Sequence, residues 1–188
     1  MLREPAVRRT LYTSSLLHSG SDLFQFYLPI YGHDIGLSAS AIGVVLAMNS
    51  AAAFTVRSLL PRMIRRFGED RVLAYAFLVG AASITLVPFV HNGIVLGLIA
   101  FMFGLGMGCG QPVVTMLMFG NAPQGRSGEA LGLRMTVNHL TRVAGPVLFG
   151  TLGSAFGLAS VFWINALMLA SGGALSRSSR GKPGTTPV

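Results

Sequence analysis

The sequence predicts an all-α integral membrane protein, a bundle of six transmembrane helices, on three observations. Hydrophobic residues make up 52% of the chain and charged residues only 11%, whereas a soluble domain needs about 25% charged residues to cover its surface. The apolar residues gather into runs long enough to cross a bilayer as helix, about 20 residues each. The Arg and Lys residues occupy alternate gaps between those runs, the pattern of loops kept on the cytoplasmic side. The net charge of +8 therefore reports topology. A nucleic-acid surface would cluster its basic residues beside exposed polar ones, so no nucleic-acid partner is expected.

Taken in order, residues 1–10 are an N-terminal stub with Arg3, Arg8 and Arg9. The first span covers 11–31. Arginines precede it as they would a signal peptide, but His18 and Asp22 interrupt the apolar core such a peptide requires. The second span, 38–60, carries only Arg57, close enough to its end for the side chain to snorkel. The third, 72–90, and the fourth, 94–120, hold no charge. The fifth, 130–153, holds Arg134, Asn138, His139 and Arg142. The sixth, 157–175, is again uncharged. Residues 176–188 are rich in Ser, Gly, Pro and Thr and are expected to be a disordered cytoplasmic tail.

The first and fifth spans are the weak ones by hydropathy, and the charges decide them. Of the 14 basic residues, 13 fall on one side of a six-span arrangement, none on the other, and Arg142 alone lies mid-span. Five crossings would break that alternation. The expected topology is multi-pass in the cell (inner) membrane with both termini cytoplasmic. Short outer connections make consecutive helices antiparallel neighbours.

Ionisable groups inside a span are costly and are functional candidates by default. His18, Asp22 and Gln25 are spaced i, i+4, i+7 on the first helix, and Arg134, Asn138 and Arg142 repeat every four residues on the fifth, each set on one face. Asp22 and Arg142 lie roughly 17–18 Å from their helix starts at 1.5 Å per residue. Opposite charges at equal depth are expected to share a cavity, either as a pair that holds the bundle or as groups that meet a solute or a coupling proton. Asn49 and Gln111 are further candidates, and each also fits a plain interhelical hydrogen bond. In the fourth span Gly104/Gly108 and Gly106/Gly110 are small residues four apart. That spacing lets membrane helices approach closely, with flexibility during gating as the alternative. No strand precedes them, so they are not a dinucleotide loop.

The single cysteine, Cys109, allows neither an internal disulfide nor a cysteine-built metal site. His18, His33, His91 and His139 lack metal-ligand spacing, and no metal or cofactor is expected. Gly125-Arg126-Ser127-Gly128 has the Gly-x-Ser-Gly form of an intramembrane serine protease. The only later histidine, His139, is 12 residues along the same helix. At roughly 18 Å it cannot serve that nucleophile as base, so no enzyme is expected.

Two segments carry a family resemblance. Pro61-Arg62-Met63-Ile64-Arg65-Arg66-Phe67-Gly68-Glu69-Asp70-Arg71 resembles the cytoplasmic loop motif of the major facilitator superfamily, Gly-x-x-x-Asp-Arg/Lys-x-Gly followed by basic residues. Arg66 and Gly68 match; Pro61 and Arg65 replace the first glycine and the aspartate, and Glu69-Asp70 stand where basic residues are usual. Gly68 suits a helix C-terminal turn, and the mixed charges are expected to pair across the cytoplasmic face. Thr141-Arg142-Val143-Ala144-Gly145-Pro146-Val147-Leu148-Phe149-Gly150 is similar to that family's Gly-x-x-x-Gly-Pro-x-x-Gly-Gly pattern. Gly145, Pro146 and Gly150 match, while Thr141 and Phe149 depart. A Gly-Pro pair inside a membrane helix permits a bend and close helix contact. Arg126 to Gly132 also resembles the entry to that helix.

The resemblance implies a six-helix half built as a 3+3 inverted repeat, with the degenerate loop motif pointing to the second half, helices seven to twelve. It further implies transport of a small-molecule substrate across the lipid bilayer by alternating access, in company with an N-terminal six-helix half or a second copy. The chain would then be a fragment, a split subunit or half of a homodimer. The rival expectation is a non-transporting membrane protein, a partner-binding subunit or an inactive remnant.

Overall fold

The structure, a computed structural model, describes residues 5–123 and 125–177. Residues 1–4 of the stub and 178–188 of the expected tail lie outside the described residues. Among those described there is no strand and there are six α-helices: α1 (Pro5–Asp34), α2 (Ala39–Phe67), α3 (Glu69–Leu86), α4 (Gly93–Asn121), α5 (Ser127–Phe156) and α6 (Leu158–Arg177). A single 3-10 turn, Val87–Phe89, follows α3.

A helix lies over each expected span, with Ser38, Val90 and Gly157 falling one residue outside α2, the 3-10 turn and α6. Three helices are long and apolar enough to cross a membrane by length and composition: α2, Glu69–Phe89 and α4. The apolar stretch of α6 is shorter, Leu158–Ala174, and α1 and α5 are interrupted by polar residues. Large apolar side chains cover the outside, with Phe54 75% exposed, Ile94 77%, Val143 72% and Phe156 74%. So much contiguous apolar surface suits lipid rather than water as the solvent. Hydroxyls on the helices turn inward to their own backbone, as Thr55 Oγ1 does to Ala51 O at 2.8 Å and Ser83 Oγ to Val79 O at 2.8 Å. A hydroxyl bonded in this way presents no free donor to hydrocarbon.

The helix ends differ from expectation in instructive ways. The segment taken as a loop, Pro61 to Arg71, is helix on both sides of one residue: α2 runs through Pro61 to Phe67, and α3 begins at Glu69. Gly68 alone makes the turn, at φ 80 and ψ 158, with its N–H on Ile64 O at 2.8 Å. Only glycine adopts that backbone region without strain. The stub is helical from Pro5, and α6 takes in residues 176 and 177 of the expected tail.

The packing swaps two triplets of helices. α4 lies chiefly against α2 and α3, and α1 chiefly against α5 and α6, with α1 and α4 touching each other at the centre. Each triplet's first helix thus packs against the last two of the other triplet, the same arrangement in both triplets. Phe24 of α1 stacks on Phe103 of α4 at 3.9 Å between ring centroids. Polar links pin the seams: Asn165 Nδ2 of α6 donates to Gly20 O of α1 at 3.2 Å, and Tyr31 Oη donates to Val90 O at 3.2 Å.

The α4 glycines are contact points. A methyl at Gly108 would stand 2.6 Å from Ala53 Cα, and one at Gly104 would strike the Asn49 carbonyl, so both receive α2. Gly106 receives α3, 3.0 Å from Ala76 O, whereas Gly110 receives Leu17 of α1. Gly106 and Gly110 are therefore not one seam, as their spacing suggested: they serve two neighbours.

Candidate functional site

α1 and α5 run parallel, because their contacts climb together: Ser14 meets Arg134 and Asn138, and Asp22 meets Arg142. Ser14, His18 and Asp22 repeat every four residues on α1, as Arg134, Asn138 and Arg142 do on α5, so two four-residue ladders face each other in register. α4 runs the opposite way and adds Gln111 and Thr115 from its own four-residue step.

Arg134 sits at the buried end. It is 7% exposed, and it donates from Nε to Ser14 Oγ (2.7 Å), from Nη1 to Thr115 Oγ1 (2.9 Å) and from Nη2 to Gln111 Oε1 (2.8 Å). Ser14 Oγ in turn donates to Asn138 Oδ1 at 3.3 Å. No carboxylate lies within ion-pairing distance of Arg134 among the described residues. The cation is held by charge-assisted bonds to three neutral oxygens on two neighbouring helices, α1 and α4. Gln111 Nε2 continues the chain to His18 Nδ1 at 2.6 Å, His18 Nε2 stands 3.8 Å from Asp22 Oδ2, and Asp22 Oδ2 stands 3.8 Å from Arg142 Nε. A continuous polar chain thus runs from Arg134 to Arg142 through α1, α4 and α5.

The chain of contacts ends at an open face. The Arg142 side chain is 65% exposed and that of Asp22 27%. The recess beside them, bounded by Ser19, Phe26, Thr141 and Gly145, encloses only about 10 Å³, too little for a solute. A cavity of about 430 Å³ lies elsewhere, at the α2–α3 turn, lined by Phe67, Asp70, Arg71, Tyr75 and Ser176.

Of the residues singled out from sequence, His18, Asp22, Gln111, Asn138 and Arg142 come together here. Gln25 is exposed one turn further along α1. Asn49 is buried at the α2–α4 crossing against Gly104 and stands apart from the chain. Arg134, which the sequence places both among the cytoplasmic-side charges and on one face with Asn138 and Arg142, is the centre of the group. Its i+4 spacing to Asn138 was the signal that it belongs with the inward face. Ser14 and Thr115 gave no signal alone.

Three further expectations are corrected. Arg57 does not snorkel past a nearby helix end, because α2 continues to Phe67. Its Nε instead donates to Gly108 O of α4 at 3.1 Å. The residue four ahead of Gly108 is Pro112, which has no N–H to give that carbonyl, so Arg57 supplies the missing donor. Second, Arg65 and Arg66 on the last turn of α2 form no ion pair with Glu69 or Asp70 among the described residues. Third, Gly145 makes no close helix contact: a methyl there would meet nothing within 4 Å, and at Gly150 only Tyr27 Oη at 3.8 Å. α5 runs unbroken through Pro146.

Comparison with known proteins bears on what such a bundle is. The chain is 21% identical over 173 residues to the multidrug resistance protein MdtG of Serratia proteamaculans, an alignment covering 89% of this chain and 42% of that protein. It is 27% identical over 182 residues to the uncharacterized MFS-type transporter YuxJ of Bacillus subtilis, covering 92% and 45%. MdtG of Klebsiella pneumoniae is 23% identical over 170 residues, covering 88% and 41%. The chain therefore spans less than half the length of these relatives. A family model, that of the Major Facilitator Superfamily, matches residues 10–187. With swapped helix triplets, a lipid-compatible exterior and a match along nearly its whole length, the chain belongs to the major facilitator superfamily.

Proposed function

We propose that this chain carries a small solute across the membrane by alternating access, as the second six-helix half of a transporter, and that Asp22 and Arg142 meet the solute or a coupling proton. The observation that carries this reading is the polar chain between α1, α4 and α5, which is buried at Arg134 and open at Arg142. Buried ionisable groups are retained in a membrane bundle where they serve a pathway. A recess of about 10 Å³ beside them supports one wall of a site, completed by an N-terminal half or by a second copy. The arginine-rich ends of α1, α2 and α5 support a topology with both termini cytoplasmic. The spacing of Ser127 and His139 along α5 speaks against hydrolysis. Among the relatives, the name of the multidrug resistance protein MdtG makes drugs the solutes to test first.

The test is solute accumulation in cells making the chain alone and with an N-terminal half supplied. Asp22→Asn and Arg142→Gln are each expected to lower transport at least tenfold while leaving the protein's amount in the membrane unchanged. Transport unaffected by both substitutions rejects the site. No transport under any pairing, with a stable complex to another membrane protein, favours a partner-binding role instead.

A further inference from the structure

The polar chain also fixes where its protons sit. A guanidinium has donors only, so the Gln111 atom 2.8 Å from Arg134 Nη2 is the amide oxygen. The same amide must then turn its NH₂ toward His18 Nδ1, 2.6 Å away, and that nitrogen accepts. A neutral imidazole with an accepting Nδ1 carries its proton on Nε2. Nε2 is the ring atom that faces Asp22 Oδ2, at 3.8 Å.

Asp22 Oδ2 is buried, has no hydrogen bond, and stands equally far, 3.8 Å, from Arg142 Nε. The two flanking donors differ in freedom. His18 is tied through Gln111 to Arg134, which three hydrogen bonds to α1 and α4 hold, whereas the Arg142 side chain is 65% exposed. The charged or titratable groups acting on His18 are Asp22 on its own helix and Arg142, Arg134 and His139 from α5; α4 presents the neutral Gln111.

We propose that Arg134 is a positioning residue that, acting through Gln111, holds His18 in the Nε2–H tautomer, giving Asp22 one fixed donor in His18 and one free donor in Arg142. When Arg142 turns to a solute, Asp22 needs to move only about an ångström to close a hydrogen bond with His18. Its carboxylate then keeps a donor within reach when Arg142 leaves. That last use rests on the transport reading above; the tautomer does not.

The experiment is nitrogen NMR of the full chain, labelled with ¹⁵N-histidine, in lipid bilayers at neutral pH. The His18 signals are identified by their loss in His18→Gln. The expected spectrum has a protonated Nε2 and an unprotonated Nδ1. Gln111→Glu keeps the shape and puts an accepting oxygen where the NH₂ stood, so Nδ1 is expected to shift to the donating class of resonance. Arg134→Met releases the amide to rotate and is expected to give both tautomers. A wild-type His18 protonated on Nδ1 overturns the proposal, as does an Nδ1 that Gln111→Glu leaves unprotonated. If Arg134→Met does not fold, the wild-type and Gln111→Glu spectra still decide. No transport is needed for this readout, so uptake indifferent to Asp22→Asn would reject the transport site and leave the tautomer standing.

Discussion

Arg134 is buried in the bundle and Arg57 lies exposed on α2, yet each is met by neutral oxygens rather than by a carboxylate. Their reasons differ. Arg134 organises side chains, whereas Arg57 repairs the backbone where Pro112 withholds an N–H from Gly108 O. That repair was not legible in the sequence. A proline announces an unpaired carbonyl four residues back, but not which residue, here 51 positions earlier, will reach it. A charged donor on a carbonyl is worth about 1.5–3 kcal/mol, so Arg57→Gln is expected to lower stability by about that much. In a Pro112→Ala background, where the helix supplies its own donor, most of the loss should vanish. Unfolding of the four proteins in detergent measures the cycle, and an equal loss in both backgrounds would refute the pairing.

For whole helices the sequence was a better guide. Apolar runs and alternating arginines located all six, because lipid demands length and the membrane sorts charge, and both leave marks in one dimension. Which helices touch leaves no such mark. The four-residue glycine spacing in α4 predicted close packing but could not say that Gly104 and Gly108 meet α2, Gly106 meets α3, and Gly110 meets α1. The same physics separates glycines that must stay from those that need not. Gly108→Ala puts a methyl 2.6 Å from Ala53 Cα and is expected to loosen the α2–α4 seam and lower the melting temperature. Gly145→Ala meets open space and should be neutral, or stabilising by about 0.5–1 kcal/mol from helix propensity, in this chain alone. Gly68→Ala forces a side chain onto φ 80 at a cost of about 1–3 kcal/mol. Thermal unfolding of the three variants ranks them, and a Gly145→Ala protein less stable than Gly108→Ala would contradict the seam assignments.

Across the whole molecule, the helices of each triplet touch the other triplet more than one another. α1, α2 and α3 have little contact with one another, and their principal partners are α4, α5 and α6. Residues 1–90 made alone are expected to be degraded, and to be rescued when 91–188 is made in the same cell. Recovery of the two pieces as one complex after affinity purification checks this. The swapped packing also gives the Arg57–Gly108 bond a place in the order of synthesis. α2 leaves the ribosome before α4, so Arg57 enters the membrane with no partner for its guanidinium, a burden below the about 2.5–3.5 kcal/mol that a helix-centre arginine carries on insertion scales. When the proline-broken α4 arrives, its open carbonyl finds a donor already in position. The nascent chain therefore passes through one vulnerable interval, between the emergence of α2 and that of Pro112, and α4 closes it. A stall inside that interval should mark the chain for membrane quality control sooner than a stall after it.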